Sequence, residues 1–219
     1  MKYAAVLFDL DGTLVNTLED LAASVNQALA QLSLPGHSVD SFRFKVGNGS
    51  RMMVSRSLPA QRQDLIETVL QLQQAYYREH LCDHSGPYPG VGEMVGALQN
   101  RGFKLAVLSN KPDEATRQII AACFAPGVFE VVAGNRADLP LKPDPAAALW
   151  VAGQLGVAAS RIAYLGDTGT DMQTATRAGM FAIGAAWGFR DREELLQNGA
   201  QAIIERPEQL PDLLDEGAD

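Results

Sequence analysis

Apolar residues along the chain fall into short, nearly unbroken runs that finish in polar or acidic residues. Residues 3–10 form the first run, which ends in Asp9 and Asp11 followed by Gly12. Residues 103–108 end in Ser109-Asn110, residues 128–133 end at Gly134, residues 161–165 end in Gly166-Asp167, and residues 180–183 close the set. Between them, residues 91–100, 112–123, 145–155, 171–178 and 192–197 carry helical patterns. Strands that are apolar throughout, alternating with helices, predict a parallel sheet covered on both faces. The expected fold class is therefore α/β, with a three-layer, Rossmann-like sheet core.

Residues 16–84 break the alternation. Leu18, Leu21, Val25, Leu29 and Leu32 recur at helical spacing until Pro35-Gly36, and a second helical pattern covers residues 65–81 beyond a boundary at Pro59. No strand signal stands out, so the block reads as an all-helical insert with Pro87-Tyr88-Pro89-Gly90 as its return linker. The expected organisation is a core of residues 1–15 and 85–219, with a helical domain at 16–84.

Composition narrows the function classes. With 219 residues, 47% of them hydrophobic and 20% charged, the chain can bury a real core and is not a disordered tail. Its 26 acidic against 18 basic residues, a net charge of −8, leave no basic surplus for nucleic acid. Asp9 and Asp11 interrupt the first apolar run, so it does not read as a signal peptide, and no stretch is long enough to span a membrane. Cys82 and Cys123 are too few for a disulfide framework, which points to a reducing, cytoplasmic compartment. His37, His80 and His84 lack ligand spacing, and Cys82 with His84 is too sparse for zinc.

The candidate chemistry lies at the strand ends, where ligands of open α/β sheets bind. Asp9 and Asp11 stand two residues apart, with Gly12 permitting a turn that lets both face one site. Ser109 and Asn110 close another strand just before a helix start, where a hydroxyl and nearby backbone N–H groups suit a phosphate or simply a cap. Lys142, beside Pro143 and Pro145, which stiffen its loop, offers a compact positive charge. Asp167 and Asp171 add two carboxylates, one at a strand end and one near a helix N-terminus. Four acids against one lysine would repel one another without a cation, and an all-oxygen set suits Mg²⁺.

Taken together, Asp9-Leu10-Asp11-Gly12-Thr13, Ser109, Lys142 and Asp167 with Asp171 resemble the four motifs of the haloacid dehalogenase superfamily, across nearly the whole chain. The helical insert, Val46-Gly47-Asn48-Gly49 and Trp187-Gly188-Phe189-Arg190 are similar to the phosphoglycolate phosphatase-like branch, in which such an insert is a C1 cap. The resemblance implies Asp9 as nucleophile and Asp11 as general acid, then base. It implies Ser109, Asn110 and Lys142 around the phosphate, and Asp9, Asp11, Asp167 and Asp171 around Mg²⁺. Asp11 argues against dehalogenation, which expels no alkoxide. In the insert, Lys45, Gly49 and Arg51 are the candidates for the organic part of a small phosphorylated metabolite, although Lys45 and Arg51 also read as solvated surface cations. A sugar phosphomutase, a pyrophosphatase or nucleotidase, and a phosphoacceptor signalling module stay open beside a phosphatase. The oligomeric state is left open as well.

Overall fold

The computed structural model describes residues 2–216 and contains one six-stranded sheet. The chain enters through β1 (Ala5–Phe8) and β2 (Val15–Asn16), then runs through helices α1 (Leu18–Gln31), α2 (Ser50–Ser57) and α3 (Ile66–Glu79). It returns along β3 (Gly86–Pro87) and continues as α4 (Val91–Asn100), β4 (Lys104–Pro112), α5 (Asp113–Cys123) and β5 (Val131–Asn135). The remainder is α6 (Ala146–Leu155), β6 (Ile162–Gly166), α7 (Gly169–Ala178), β7 (Phe181–Ala185), α8 (Arg192–Gln197), β8 (Ala202–Ile204) and α9 (Gln209–Glu216).

The sheet order is β5-β4-β1-β6-β7-β8, with every neighbouring pair parallel. The path leaves β1 toward β4 and β5, then crosses back to β6 on the other side of β1. That reversal opens a crevice at the carboxyl end of β1, where Asp9 follows the strand. Alternation along β1 explains the three layers. Val6 and Phe8 join α4, α5 and α9 in one apolar cluster, while Ala5 and Leu7 join α6, α7 and α8 in the other. The first cluster continues through Leu21, Val25, Leu29, Met53 and Val69, so the helical insert packs on the same apolar mass.

Three features of the strands differ from the expectation. β2 and β3, the two connections of the insert, pair antiparallel (Val15 with Pro87, Asn16 with Gly86), so the return linker begins as a short strand. β4 runs beyond Leu108 to Pro112, which keeps Ser109 to Lys111 in extended backbone rather than in a loop. The sheet also gains β8, an edge strand of three residues. No helix among the described residues is long and apolar enough to cross a membrane.

Candidate active site

Strand pairing places Asp9. Its N–H donates to the Leu165 carbonyl at 2.9 Å, continuing the β1–β6 ladder one residue past the strand and setting Asp9 beside the end of β6. Gly12 then takes φ +90°, a conformation glycine adopts without strain, and its N–H donates to the Val15 carbonyl at 3.0 Å. The resulting turn carries Thr13 to Asp167, where its hydroxyl donates to Oδ1 at 3.0 Å; the Phe189 N–H donates to Oδ2 at 2.8 Å.

Asp171 serves two partners with its two oxygens. Oδ2 accepts from the Thr168 N–H at 3.1 Å and hydroxyl at 2.6 Å, fixing the first turn of α7. Oδ1 accepts from Lys142 Nζ at 2.6 Å and the Tyr164 hydroxyl at 3.3 Å. Lys142 fills its remaining donors with Asp9 Oδ1 at 2.9 Å and the Leu108 carbonyl at 3.2 Å. Asp9 Oδ1 also takes the Leu10 N–H at 2.7 Å, whereas its Oδ2 accepts no hydrogen bond among the described residues.

Carboxylate oxygens of Asp9, Asp167 and Asp171 lie within 4.8 Å of one another, all three residues buried. The crowding shows in their acidity. Burial and the neighbouring Asp171 charge push the Asp9 carboxyl well above its usual range, against the pull of Lys142. Burial and Asp171 likewise raise Asp167 to about 7, although Phe189 N–H and Thr13 favour its charged form. Burial alone would lower Lys142, but Asp171 and Asp9 outweigh it and keep the ammonium charged. A buried cluster of hard oxygen donors with one ammonium to offset it is a fitting seat for a metal ion.

The phosphate-side candidates divide. Ser109 accepts the Lys111 N–H at 3.2 Å, and its own O–H donates to no group among the described residues, so it remains available to a ligand. The Asn110 carboxamide is committed to protein groups, although the residue lines the same cavity as Ser109. Its Nδ2 donates to the Gly47 carbonyl at 3.0 Å and the Lys142 carbonyl at 3.1 Å, and its Oδ1 accepts the Lys142 N–H at 2.9 Å. Asn110 thus holds the lysine loop and the insert's glycine loop together.

Sequence reasoning missed Lys111. Its Nζ lies 2.9 Å from Asp11 Oδ1, and it donates at 2.9 Å to the Tyr77 hydroxyl of α3, all three side chains being buried. The Thr17 hydroxyl donates to the same Asp11 oxygen at 2.6 Å. Burial would lower the Lys111 ammonium, but Asp11 and Tyr77 outweigh that and keep it charged. One signal was available: Lys111 stands two residues beyond Ser109, on the same side of an extended strand.

Asp9, Asp11, Ser109, Lys111 and Lys142 open onto a cavity of about 230 Å³ that extends beneath the insert. Of the insert's three candidates only Gly49 lines it. Lys45 lies over the Phe42 ring and Arg51 pairs with Glu67 at 2.8 Å on the exposed surface, both outside the cavity. Their expected contact with the organic part is corrected accordingly: each cation has a partner on the insert itself.

A parallel α/β core whose acids and lysines converge where β1, β4 and β6 end defines a class, an enzyme working at strand-end carboxylates. The profile of the haloacid dehalogenase-like hydrolases matches residues 6–185, and the chain belongs to that family. A phosphoglycolate phosphatase of Mannheimia succiniciproducens is 34% identical, over 86% of this chain and 88% of its own. One from Haemophilus influenzae (strain 86-028NP) is 32% identical, over 97% and 99%. Two solved structures share the architecture. A protein from Lactobacillus delbrueckii subsp. bulgaricus superposes with a TM-score of 0.92 at 30% identity, covering 98% of this chain and 99% of its own. A predicted phosphoglycolate phosphatase from Haemophilus somnus gives 0.87 at 30%, covering 97% and 98%.

Proposed function

We propose that the protein is a Mg²⁺-dependent phosphomonoesterase acting on a small phosphorylated metabolite, foremost 2-phosphoglycolate, through an aspartyl-phosphate. The unequal use of Asp9's oxygens carries the reading: Oδ1 is clamped by Lys142 and the Leu10 N–H, and Oδ2 is left as a nucleophile on the cavity. The names of the relatives above supply the substrate. The two free cysteines fit a reducing compartment such as the cytoplasm. The helical insert, residues 16–84, serves as a cap domain on a core of residues 1–15 and 85–219.

Asp9 Oδ2 attacks phosphorus in line and expels the alkoxide, which takes a proton from Asp11. Asp11, then a carboxylate, removes a proton from a water that attacks the aspartyl-phosphate, releasing phosphate and restoring Asp9. Ser109 donates to a phosphoryl oxygen, and the Lys142 ammonium offsets phosphoryl charge while orienting Asp9. Asp9, Asp167 and the main-chain carbonyl of Asp11 would hold Mg²⁺, with Asp171 beside it, an oxygen set suited to that ion. Bound there, Mg²⁺ supplies positive charge to the phosphoryl group and the nucleophile.

The test is phosphate release from a panel of phosphomonoesters, hexose 1-phosphates, nucleotides and pyrophosphate, with Mg²⁺ present. Turnover of small monoesters is expected, and Asp9→Asn should lower it by more than about 10³-fold with the fold retained. A folded, Mg²⁺-supplied protein that frees no phosphate, or only isomerises a hexose 1-phosphate, would overturn the reading. So would an Asp9→Asn variant of near-normal turnover.

A further inference from the structure

The two buried lysines of the site are not equivalent. Lys142 spends its donors on Asp9, Asp171 and the Leu108 carbonyl. Lys111 has two partners, Asp11 Oδ1 and the Tyr77 hydroxyl, and an ammonium carries three N–H donors. Its third donor meets no acceptor among the described residues, although the side chain is only 4% exposed and the residue lines the cavity. A buried, charged donor without a partner is costly, so a site that keeps one is completed by a ligand or water.

Position tells which part of the ligand that is. Ser109 and Lys142 adjoin the nucleophile, whereas Lys111 adjoins Asp11, the group that meets the leaving oxygen under the proposed mechanism. Lys111 therefore stands on the leaving-group side. One turn before Tyr77 on α3, Gln73 lines the same cavity, and its buried Oε1 is likewise without a hydrogen-bond partner. Two unfilled polar groups on one side of the cavity mark a built subsite.

The geometry points to Lys111 as the residue that reads an anionic group, a carboxylate, on the leaving alcohol of the substrate, with the Tyr77 hydroxyl holding the ammonium in place. The reach is short, because Lys111 contacts the acid itself; the carboxylate must lie within a carbon or two of the ester oxygen. Gln73 Oε1 takes a donor beside it, from a bound water or a substrate hydroxyl. This inference rests on the phosphatase reading and gives its substrate class, short phosphorylated hydroxy acids, a structural cause.

The experiment compares kcat/KM for 2-phosphoglycolate and 2-hydroxyethyl phosphate, which is similar in size but lacks the carboxylate, with Mg²⁺ present. The wild-type protein should prefer the acid. Lys111→Met should lower the ratio of the two values by about 10- to 100-fold, the scale of a hydrogen-bonded charge, and Lys111→Arg should keep part of it. Any damage to Asp11 or to folding affects both esters alike and cancels in the ratio. Glycolate, the released acid, should inhibit the wild-type protein competitively and Lys111→Met much more weakly, while inhibition by inorganic phosphate persists. A wild-type protein that hydrolyses both esters with no preference, or a Lys111→Met ratio equal to wild type, overturns the carboxylate role and leaves the phosphatase intact. Hydrolysis of no ester at all overturns both.

Discussion

Absent side chains shape the buried acids as much as present ones do. A Cβ at Gly12 or Gly188 would collide with the Asp167 carboxylate, and one at Gly166 would collide with the Asp171 side chain. The backbone can therefore approach these carboxylates closely enough for Phe189 N–H to reach Asp167 at 2.8 Å. Gly188→Ala must push either the loop or Asp167 aside. Overpacking of this kind costs about 1–3 kcal/mol, and displacement of a site carboxylate by an ångström can cost about 10²-fold in rate. Urea unfolding and phosphate-release kinetics should show both losses. Gly153→Ala, in α6 with nothing within 4 Å of the added methyl, should leave activity alone and stabilise by up to about 1 kcal/mol. If the two variants behaved alike, the close approach at Asp167 would not be what matters at Gly188.

Between elements, the helical insert joins the sheet through the β2–β3 pair, and a buried carboxyl fastens that joint. Asp20 of α1 accepts His84 N–H at 3.1 Å, Ser85 N–H at 2.9 Å and the Ser85 hydroxyl at 2.6 Å, fastening the return connection just before β3. Asp20→Ala strands two N–H groups and should cost about 2–4 kcal/mol in urea unfolding; Asp20→Asn, which keeps one acceptor oxygen, should cost less. Equal losses in the two variants would show that packing rather than hydrogen bonding fastens the joint. Asp20 also marks what the sequence left hidden, because its partners lie 64 and 65 residues away. Helices with strong local periodicity were legible: residues 91–100 and 192–197 coincide with α4 and α8. The short apolar runs appeared as strands for the same local reason. α2 escaped notice because its eight residues carry few apolar positions, and β8 because three residues give no alternation to read. At the site, Asp9, Asp11, Ser109 and Asp167 were visible as polar residues where apolar runs stop, Lys142 as a lone lysine beside prolines, and Asp171 as an acid near a helix start. Lys111 was not, nor was the clamping role of the Asn110 carboxamide, since each depends on partners distant in the chain: Tyr77 on α3 for one, the Gly47 and Lys142 backbone for the other.

For the whole molecule, a net charge of −8 combined with three carboxylates inside 4.8 Å makes stability depend on what neutralises the cluster. In metal-free protein Asp167 holds its proton up to about pH 7, because burial and Asp171 oppose its ionisation. In the unfolded chain the same group ionises near pH 4. Between those values the folded state binds more protons, so this group's contribution to stability is full below about pH 4 and falls as pH rises toward 7. Asp167→Asn removes the titration. In metal-free samples the variant's Tm should therefore gain on that of the wild-type protein as pH climbs from 4 to 7, and the difference should level off above that. Mg²⁺ should act in the opposite sense. It binds the ionised cluster of the folded state, raises the wild-type Tm in proportion to ln(1 + [Mg²⁺]/Kd), and does so more at pH 7.5 than at pH 5, where protons compete. Asp167→Asn, with one carboxylate fewer, should respond much less. Differential scanning calorimetry of both proteins across pH, with and without Mg²⁺, reads all three effects together. A Tm difference that stays flat from pH 4 to 7, with equal Mg²⁺ responses in both proteins, would place the cation away from this cluster. The expected pattern would instead make the acid cluster at the carboxyl ends of β1 and β6 a binding energy that the protein collects only when the cation arrives.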